Sequence, residues 1–250
     1  MVAYALEAPT ALLPFLPELL ADLDELGSDA ELIANVLTDL RLPPMARVID
    51  LGCGKGAVSI EIAAELGLQV LGIELFAPFV AHCVAAARQA GVDQLCEFRQ
   101  GDAKALVGSL PPADVVVFAA LGDVLGSPSE TMRVVRQYVR SGGFIVIADA
   151  FLRDGGSTSF AGFESYRSRQ ETVNGLTHWG DTVVREVLEA ASTAVENDED
   201  AAAIYRRAVE IAARHPEHAN QLLAFARYQA EANEHISENL SGAVWVLQRI

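Results

Sequence analysis

Arg47-Val48-Ile49-Asp50-Leu51-Gly52-Cys53-Gly54-Lys55-Gly56 is the stretch that decides the fold. A short β-prone run (47–51) meets a glycine-rich turn, and Val58, Ile60, Ile62, Ala63 and Leu66 follow as the apolar positions of a helix. Glycines let the backbone turn tightly and bring it close to a ligand with no Cβ in the way. The first turn of the following helix presents N–H groups that suit a carboxylate or a phosphate. A glycine pattern set between strand and helix serves several kinds of nucleotide and nucleoside, so the turn alone does not choose among them.

The pattern repeats outward from this point. Val70-Leu71-Gly72-Ile73-Glu74 reads as a second strand ending in an acid, residues 77–90 as a helix, and Glu97–Gln100 as a third strand leading into Gly101-Asp102-Ala103. Residues 114–119 form a continuous apolar run, as expected of a parallel strand buried on both faces. A helix over 129–140 and a buried strand over 144–148 follow. Such alternation predicts a parallel sheet flanked by helices. Upstream, residues 12–41 carry helical spacing, with Ser28 and Glu31 as an expected capping box. Downstream, a helix over 163–178, a strand over 181–187, mostly helical residues 193–241 broken at His215-Pro216, and a final strand over 242–248 are expected. The implied organisation is an N-terminal helical cap (1–44), a core (45–192), a helical insertion (193–241) and a last core strand (242–250).

The strand-end acids narrow the ligand. Glu74 stands where a carboxylate can accept from both hydroxyls of a ribose, and Asp102 where it can accept from an adenine amino group. Asp50, just ahead of the glycines, suits a cationic amino-acid group and would repel a pyrophosphate, which disfavours NAD or FAD. A nucleoside bearing an ammonium-carboxylate tail fits all three positions; that ligand is S-adenosylmethionine.

Residues 45–150 resemble the class I S-adenosylmethionine-dependent methyltransferase family. The resemblance rests on Val48–Gly56, Gly72-Ile73-Glu74, Gly101-Asp102-Ala103 and Arg140-Ser141-Gly142-Gly143-Phe144-Ile145-Val146-Ile147. It implies an α/β Rossmann-like sheet of seven strands, mostly parallel with the last antiparallel. It also implies that Gly52, Cys53 and Gly54 line the methionine moiety, Glu74 holds the ribose, and Asp102 with Ala103 addresses the adenine. Asp50, Gly56, Leu75 and Phe118 complete the cofactor positions expected.

Composition bounds the function. With 250 residues, folding buries roughly 70–75% of the unfolded chain's surface, enough for a core without disulfide or metal. The net charge of −16, with no basic cluster, argues against nucleic acid as partner. No membrane span or signal peptide is read, and Cys53, Cys83 and Cys96 form no CxxC pair, so a reducing cytoplasm is the expected setting. Residues 118–122 (Phe-Ala-Ala-Leu-Gly) lack the Asn/Asp-Pro-Pro-Tyr/Phe motif of amino-methylating nucleic-acid enzymes, no Pro-Cys pair supplies a cytosine-C5 nucleophile, and the paired-glutamate loop of arginine methyltransferases is absent. A small-molecule acceptor remains. Methyl transfer to it needs positioning in a dry pocket more than a dedicated base.

Loops above the strand ends supply the pocket candidates Asp123, Phe151, Tyr166 and Trp179, with Asp149 and His178 as candidate bases. His215-x-x-His218 has metal-ligand spacing, but Pro216 intervenes and no third ligand stands out, so no metal is expected. A homodimer contact through the helical insertion is a further expectation. Three rival functions stay open: transfer of another group from an S-adenosylmethionine derivative (Lys55 or Arg153 would hold a carboxymethyl group), a non-catalytic cofactor sensor, and a nicotinamide dehydrogenase.

Overall fold

The computed structural model describes residues 8–189 and 193–250, which form two compact units. The larger comprises residues 25–149, 169–188 and 243–250, and carries most of the sheet; the smaller comprises residues 8–24, 150–168, 189 and 193–242. Residues 25–44 thus belong with the sheet, and residues 150–168 with the helices.

Seven strands form one sheet: β1 (Arg47–Leu51), β2 (Gln69–Glu74), β3 (Cys96–Gln100), β4 (Ala113–Ala119), β5 (Val139–Leu152), β6 (Thr182–Leu188) and β7 (Leu240–Gln248). Their order is β3-β2-β1-β4-β5-β7-β6. Strands β3 to β5 pair in parallel, and β7 runs antiparallel to β6. This is the Rossmann-like sheet with an antiparallel last strand. β1 and β4 are buried along nearly their whole length, which is why their sequences are runs of valine and isoleucine with no alternation. Val48, Val70, Val115, Val117, Val146, Val244 and Val246 share one core cluster with Ile33, Val36 and Leu37 from helix α2 (Ala30–Thr38) and Ile62 from helix α3 (Ala57–Leu66).

Several boundaries differ from the sequence reading. Helix α2 is capped by Asp29, whose side chain accepts from the Leu32 amide at 2.8 Å, so the Ser28 box does not form. A box does form at Ser127 and Glu130, where helix α5 (Pro128–Val135) starts. That helix ends before 139 because Val139 is drawn into the sheet opposite Ala113; residues 140–143 bulge out before pairing resumes at Phe144 opposite Val115. The helix expected over 163–178 shortens to α6 (Arg169–Leu176), since Phe163 packs instead into an aromatic cluster. Helix α4 (Ala77–Gln89) lies as expected.

In the smaller unit, α1 (Leu16–Leu19) is preceded by a 3-10 turn (Thr10–Phe15). Helices α7 (Thr193–Arg214) and α8 (Ala219–Asn239) pack together. Arg207 grips Asp22 and Arg214 pairs with Glu18, tying α7 to the chain's first helix. His215 and His218, read above for metal spacing, both pack their rings against Phe15, with centroids 5.0 and 5.2 Å away. Leu222, Phe225 and Ala232 of α8 are buried. Among the described residues no helix is long and apolar enough to cross a membrane.

In the larger unit the segment ahead of β6 is held by Asp181, which is almost wholly buried. Its two oxygens take Arg136 Nε at 2.9 Å and Nη2 at 3.0 Å, and the Ile250 amide also reaches it at 3.3 Å. Removing one partner of such a pair strands the other charge in a poorly hydrated place. Asp181→Ala is therefore expected to lower stability by about 2–3 kcal/mol, less than a fully buried pair because Arg136 keeps some contact with water. Chemical denaturation measures this, and an unchanged midpoint would refute it.

Candidate functional site: the glycine loop and its carboxylates

Residues 52–56 leave β1 and enter α3 through three glycines with positive φ: Gly52 (+75°), Gly54 (+54°) and Gly56 (+91°). Side chains resist this region, so the turn requires glycine. Gly52 and Cys53 both donate to the Ile73 carbonyl, at 2.7 and 3.1 Å, which docks the loop onto the end of β2.

Glu74 closes β2 and clamps the same loop. One of its oxygens accepts from the Gly54 amide at 3.0 Å and the other from the Phe76 amide at 2.7 Å. The two oxygens can accept four bonds between them, more than these amides fill. Burial pushes the Glu74 carboxyl above its ordinary value, against the Phe76, Gly54 and Leu75 amides that favour its charge.

Asp50 lies within β1, wholly buried, and accepts from Ser59 Oγ at 2.6 Å. Burial raises its carboxyl to about 6; the Ser59 hydroxyl lowers it and the neighbouring Glu74 charge raises it. A cation brought to this pair would relieve both effects. Lys55 of the loop is buried too.

All three cysteines gather under this loop. Cys83 of α4 donates its thiol to the Gly54 carbonyl at 3.2 Å, and Cys96 donates to the Ser59 carbonyl at 3.7 Å. They are free thiols. The contact with Cys83, then burial and the carboxylates, hold the Cys53 thiol well above its usual value, and burial moves Cys96 to about 11.

Next along the sheet edge, Gly101 donates to the Glu74 carbonyl at 2.9 Å and starts the loop that carries Asp102 and Ala103. Asp102 Oδ1 accepts from the Lys104 amide at 2.7 Å. Among the described residues its other oxygen has no donor and the Ala103 amide has no acceptor. An acceptor and a donor therefore stand side by side, facing no protein partner. Leu75 is tied to β3 through its carbonyl, which accepts from Gln100 Nε2 at 3.2 Å, and Phe118 is buried within β4.

These bonds link the loop of Gly52, Cys53, Gly54 and Gly56 to Glu74 and Leu75 at the end of β2, with Asp50 and Ser59 beneath it and the loop of Asp102 and Ala103 adjoining through Gly101. The outer candidates are dispersed. Asp123, Asp149, His178 and Trp179 belong to the sheet unit, whereas Phe151 and Tyr166 belong to the helical unit. Trp179 hands its indole N–H to the Ser129 carbonyl at 2.8 Å and meets His178 edge-on, so its polar end is already engaged by α5. Tyr166 stacks on Phe163.

Two neighbours of the glycine loop carried no sequence signal. Leu121 follows Ala120, a non-glycine residue at φ +52°, and its side chain covers Gly52 so closely that a Cβ there would lie 2.3 Å from Leu121 Cδ1. Leu26 similarly stands over Gly54, 3.3 Å from where a Cβ would be. A residue held at positive φ beside a crevice is the kind of strain that marks functional sites.

A model of the methyltransferase-domain family matches residues 44–214. The chain belongs to the class I S-adenosylmethionine-dependent methyltransferases. Indolepyruvate C-methyltransferase from Streptomyces griseus is 34% identical over 111 residues, covering 43% of this chain and 32% of that protein. The chain spans less than two thirds of the length of the curated relatives it matches. A methyltransferase from Geobacter sulfurreducens, solved with S-adenosylhomocysteine, superposes with a TM-score of 0.80 over 95% of this chain and 98% of that one, at 22% identity. The [4+2]-cyclase SpnF superposes with a TM-score of 0.74 over 97% of both chains, at 17% identity. These two likenesses establish the shared methyltransferase fold.

The raised Asp50 carboxyl has a consequence for stability. Its folded value lies above the unfolded value of about 3.9, so the stability it contributes is complete below about pH 4 and is lost as pH rises through about 6. The loss is roughly 2–3 kcal/mol. Asp50→Asn, which keeps an acceptor for Ser59, is expected to melt several degrees above the parent at pH 8 and at the same temperature near pH 4. Melting curves across this range test it, and a pH-independent difference would contradict it.

Proposed function

We propose that this chain transfers the methyl group of S-adenosylmethionine to a small-molecule acceptor. The observation that carries the proposal is the Glu74 carboxylate, which locks the glycine loop through the Gly54 amide beside the buried Asp50 and keeps capacity to accept a further donor.

In this reading Glu74 accepts from the ribose hydroxyls, with Leu75 and Phe118 flanking the nucleoside. Gly52, Cys53 and Gly54 let the backbone approach the amino-acid portion, whose ammonium sits near Asp50. Gly56 opens α3, whose first-turn amides favour a carboxylate. Asp102 and Ala103 present an acceptor and a donor in the order that the amino group and N1 of adenine require.

Bound S-adenosylmethionine supplies an electrophilic methyl carbon on a sulfonium. The chain's residues then have three tasks: to hold the nucleoside, to exclude water and to align the acceptor. Asp123 and Trp179 of the sheet unit are the acceptor-facing candidates beside the nucleoside site, and Phe151 and Tyr166 are those of the helical unit taken by itself. Asp149 and His178 are candidate proton acceptors for a nucleophile that must lose a proton.

The net charge of −16 favours a small acceptor over nucleic acid, and an intracellular reducing setting suits three free thiols. Transfer of a carboxymethyl group is less well supported, because Arg153 is engaged with Ser241 Oγ at 2.9 Å and the Ser237 carbonyl at 2.8 Å. A second reading, non-methyl chemistry on the same scaffold, is favoured by the likeness to a cyclase.

Calorimetric titration should give tight S-adenosylhomocysteine binding and none with NADH. Glu74→Ala should weaken the former by about 1–3 kcal/mol, roughly ten- to hundredfold. Equal affinity in the folded variant would remove the ribose assignment. Turnover is read by incubating the protein with methyl-labelled S-adenosylmethionine and a fractionated metabolite extract; label entering no acceptor would favour the second reading.

A further inference from the structure

Tyr138 lies between α5 and β5, with its ring almost wholly buried. Its backbone is fixed from both sides: the amide donates to the Val135 carbonyl at 3.0 Å, and the carbonyl accepts from the Ala113 amide at 2.7 Å. From this rigid base the hydroxyl donates to the Ala103 carbonyl. Residues 101–112, which contain that carbonyl, have no helix or strand of their own.

The bonded groups form a relay. The Ala103 carbonyl and the Lys104 amide belong to one planar peptide unit. Tyr138 holds the carbonyl end of that unit, and the amide end donates to Asp102 Oδ1 at 2.7 Å. On its other side, the Asp102 carbonyl accepts from the Ala105 and Leu106 amides, each at 3.0 Å, which orients the peptide carrying the Ala103 N–H. Tyr138 therefore sets the plane on which the Asp102 carboxylate rests, and hydrogen bonds in such chains polarise and strengthen one another.

We infer that Tyr138 is a positioning residue for purine recognition: through the 103–104 peptide it aims the Asp102 carboxylate at the amino group of adenine, beside the Ala103 amide that meets N1. This rests on the proposed nucleoside reading of the crevice. No sequence motif marks it, because residues 103 and 138 are far apart in the chain and the contact is made by a single hydroxyl.

The test compares two probes by calorimetry: S-adenosylhomocysteine and its deaminated analogue S-inosylhomocysteine, in which a carbonyl replaces the amino group and N1 carries a hydrogen. The analogue reverses both hydrogen-bond polarities, so the parent protein should prefer the adenine compound by at least about tenfold. Tyr138→Phe removes only the hydroxyl and keeps the buried ring. It should weaken S-adenosylhomocysteine binding by about five- to tenfold while leaving the inosyl compound unchanged, narrowing the preference. In an Asp102→Ala background the tyrosine change should have little further effect, because the group it aims is gone.

Equal weakening of both probes would mark a purely structural tyrosine and overturn the inference. So would no weakening of either, or losses that simply add in the double variant. If the parent binds S-adenosylhomocysteine tightly but shows no purine preference, the positioning inference fails while the nucleoside site stands. If the parent binds neither compound, the nucleoside reading itself falls and the inference with it.

Discussion

Two acidic side chains withdrawn from water at one strand-to-helix turn set the terms for the rest of this protein. Asp50 is buried in β1 and Glu74 ends β2; burial raises both carboxyls, and the Glu74 charge raises Asp50 further. The arrangement persists because donors are placed on them: Ser59 on Asp50, and the Gly54 and Phe76 amides on Glu74. Those bonds also shape the loop, since an amide can reach Glu74 only if the chain turns through the positive φ angles of Gly52, Gly54 and Gly56. Backbone conformation and electrostatics are thus one constraint. Under the proposed reading, a ligand that carries positive charge and several hydroxyls suits these carboxylates, whereas a diphosphate would meet two acids already short of compensation.

Much of this was legible in the sequence. The β1–loop–α3 unit stands out because three demands coincide there: an apolar strand, glycines where side chains are excluded, and an apolar helical period. The succession of strands and the acidic strand ends follow from the repeating alternation, since buried parallel strands have few alternatives in composition. The larger misreadings fell where local pattern competed with distant contacts. Residues 163–178 have helical spacing, yet Phe163 is claimed by Phe160, Tyr166 and His235, and the helix begins only at Arg169. Val139 reads as the end of a helix until Ala113 pairs with it. Asp29 outcompetes Ser28 as the cap by its placement, which composition does not reveal.

Legibility at the site follows the same rule. Residues placed by a backbone requirement or a strand end carry a mark in the sequence: the glycines, Asp50, Glu74 and Asp102. Residues that act across the fold do not. Leu121 covers Gly52 from the far side of β4, and the Tyr138 hydroxyl crosses to a carbonyl in another loop. Such contacts are encoded in the packing of whole elements, and an isolated leucine or tyrosine carries no mark of them. The acceptor candidates were drawn from strand-end loops that the chain divides between two compact units.

The thiols beneath the loop matter for a protein of this family in a further way. A sulfonium is an alkylating agent, and thiolates are among the strongest nucleophiles in proteins. Cys53 sits in the glycine loop itself, and its environment, with that of Cys96, holds the proton on sulfur. A protonated thiol is a poor target. The same burial that makes these cysteines useless as catalysts therefore shields the protein from modifying itself with its own reagent.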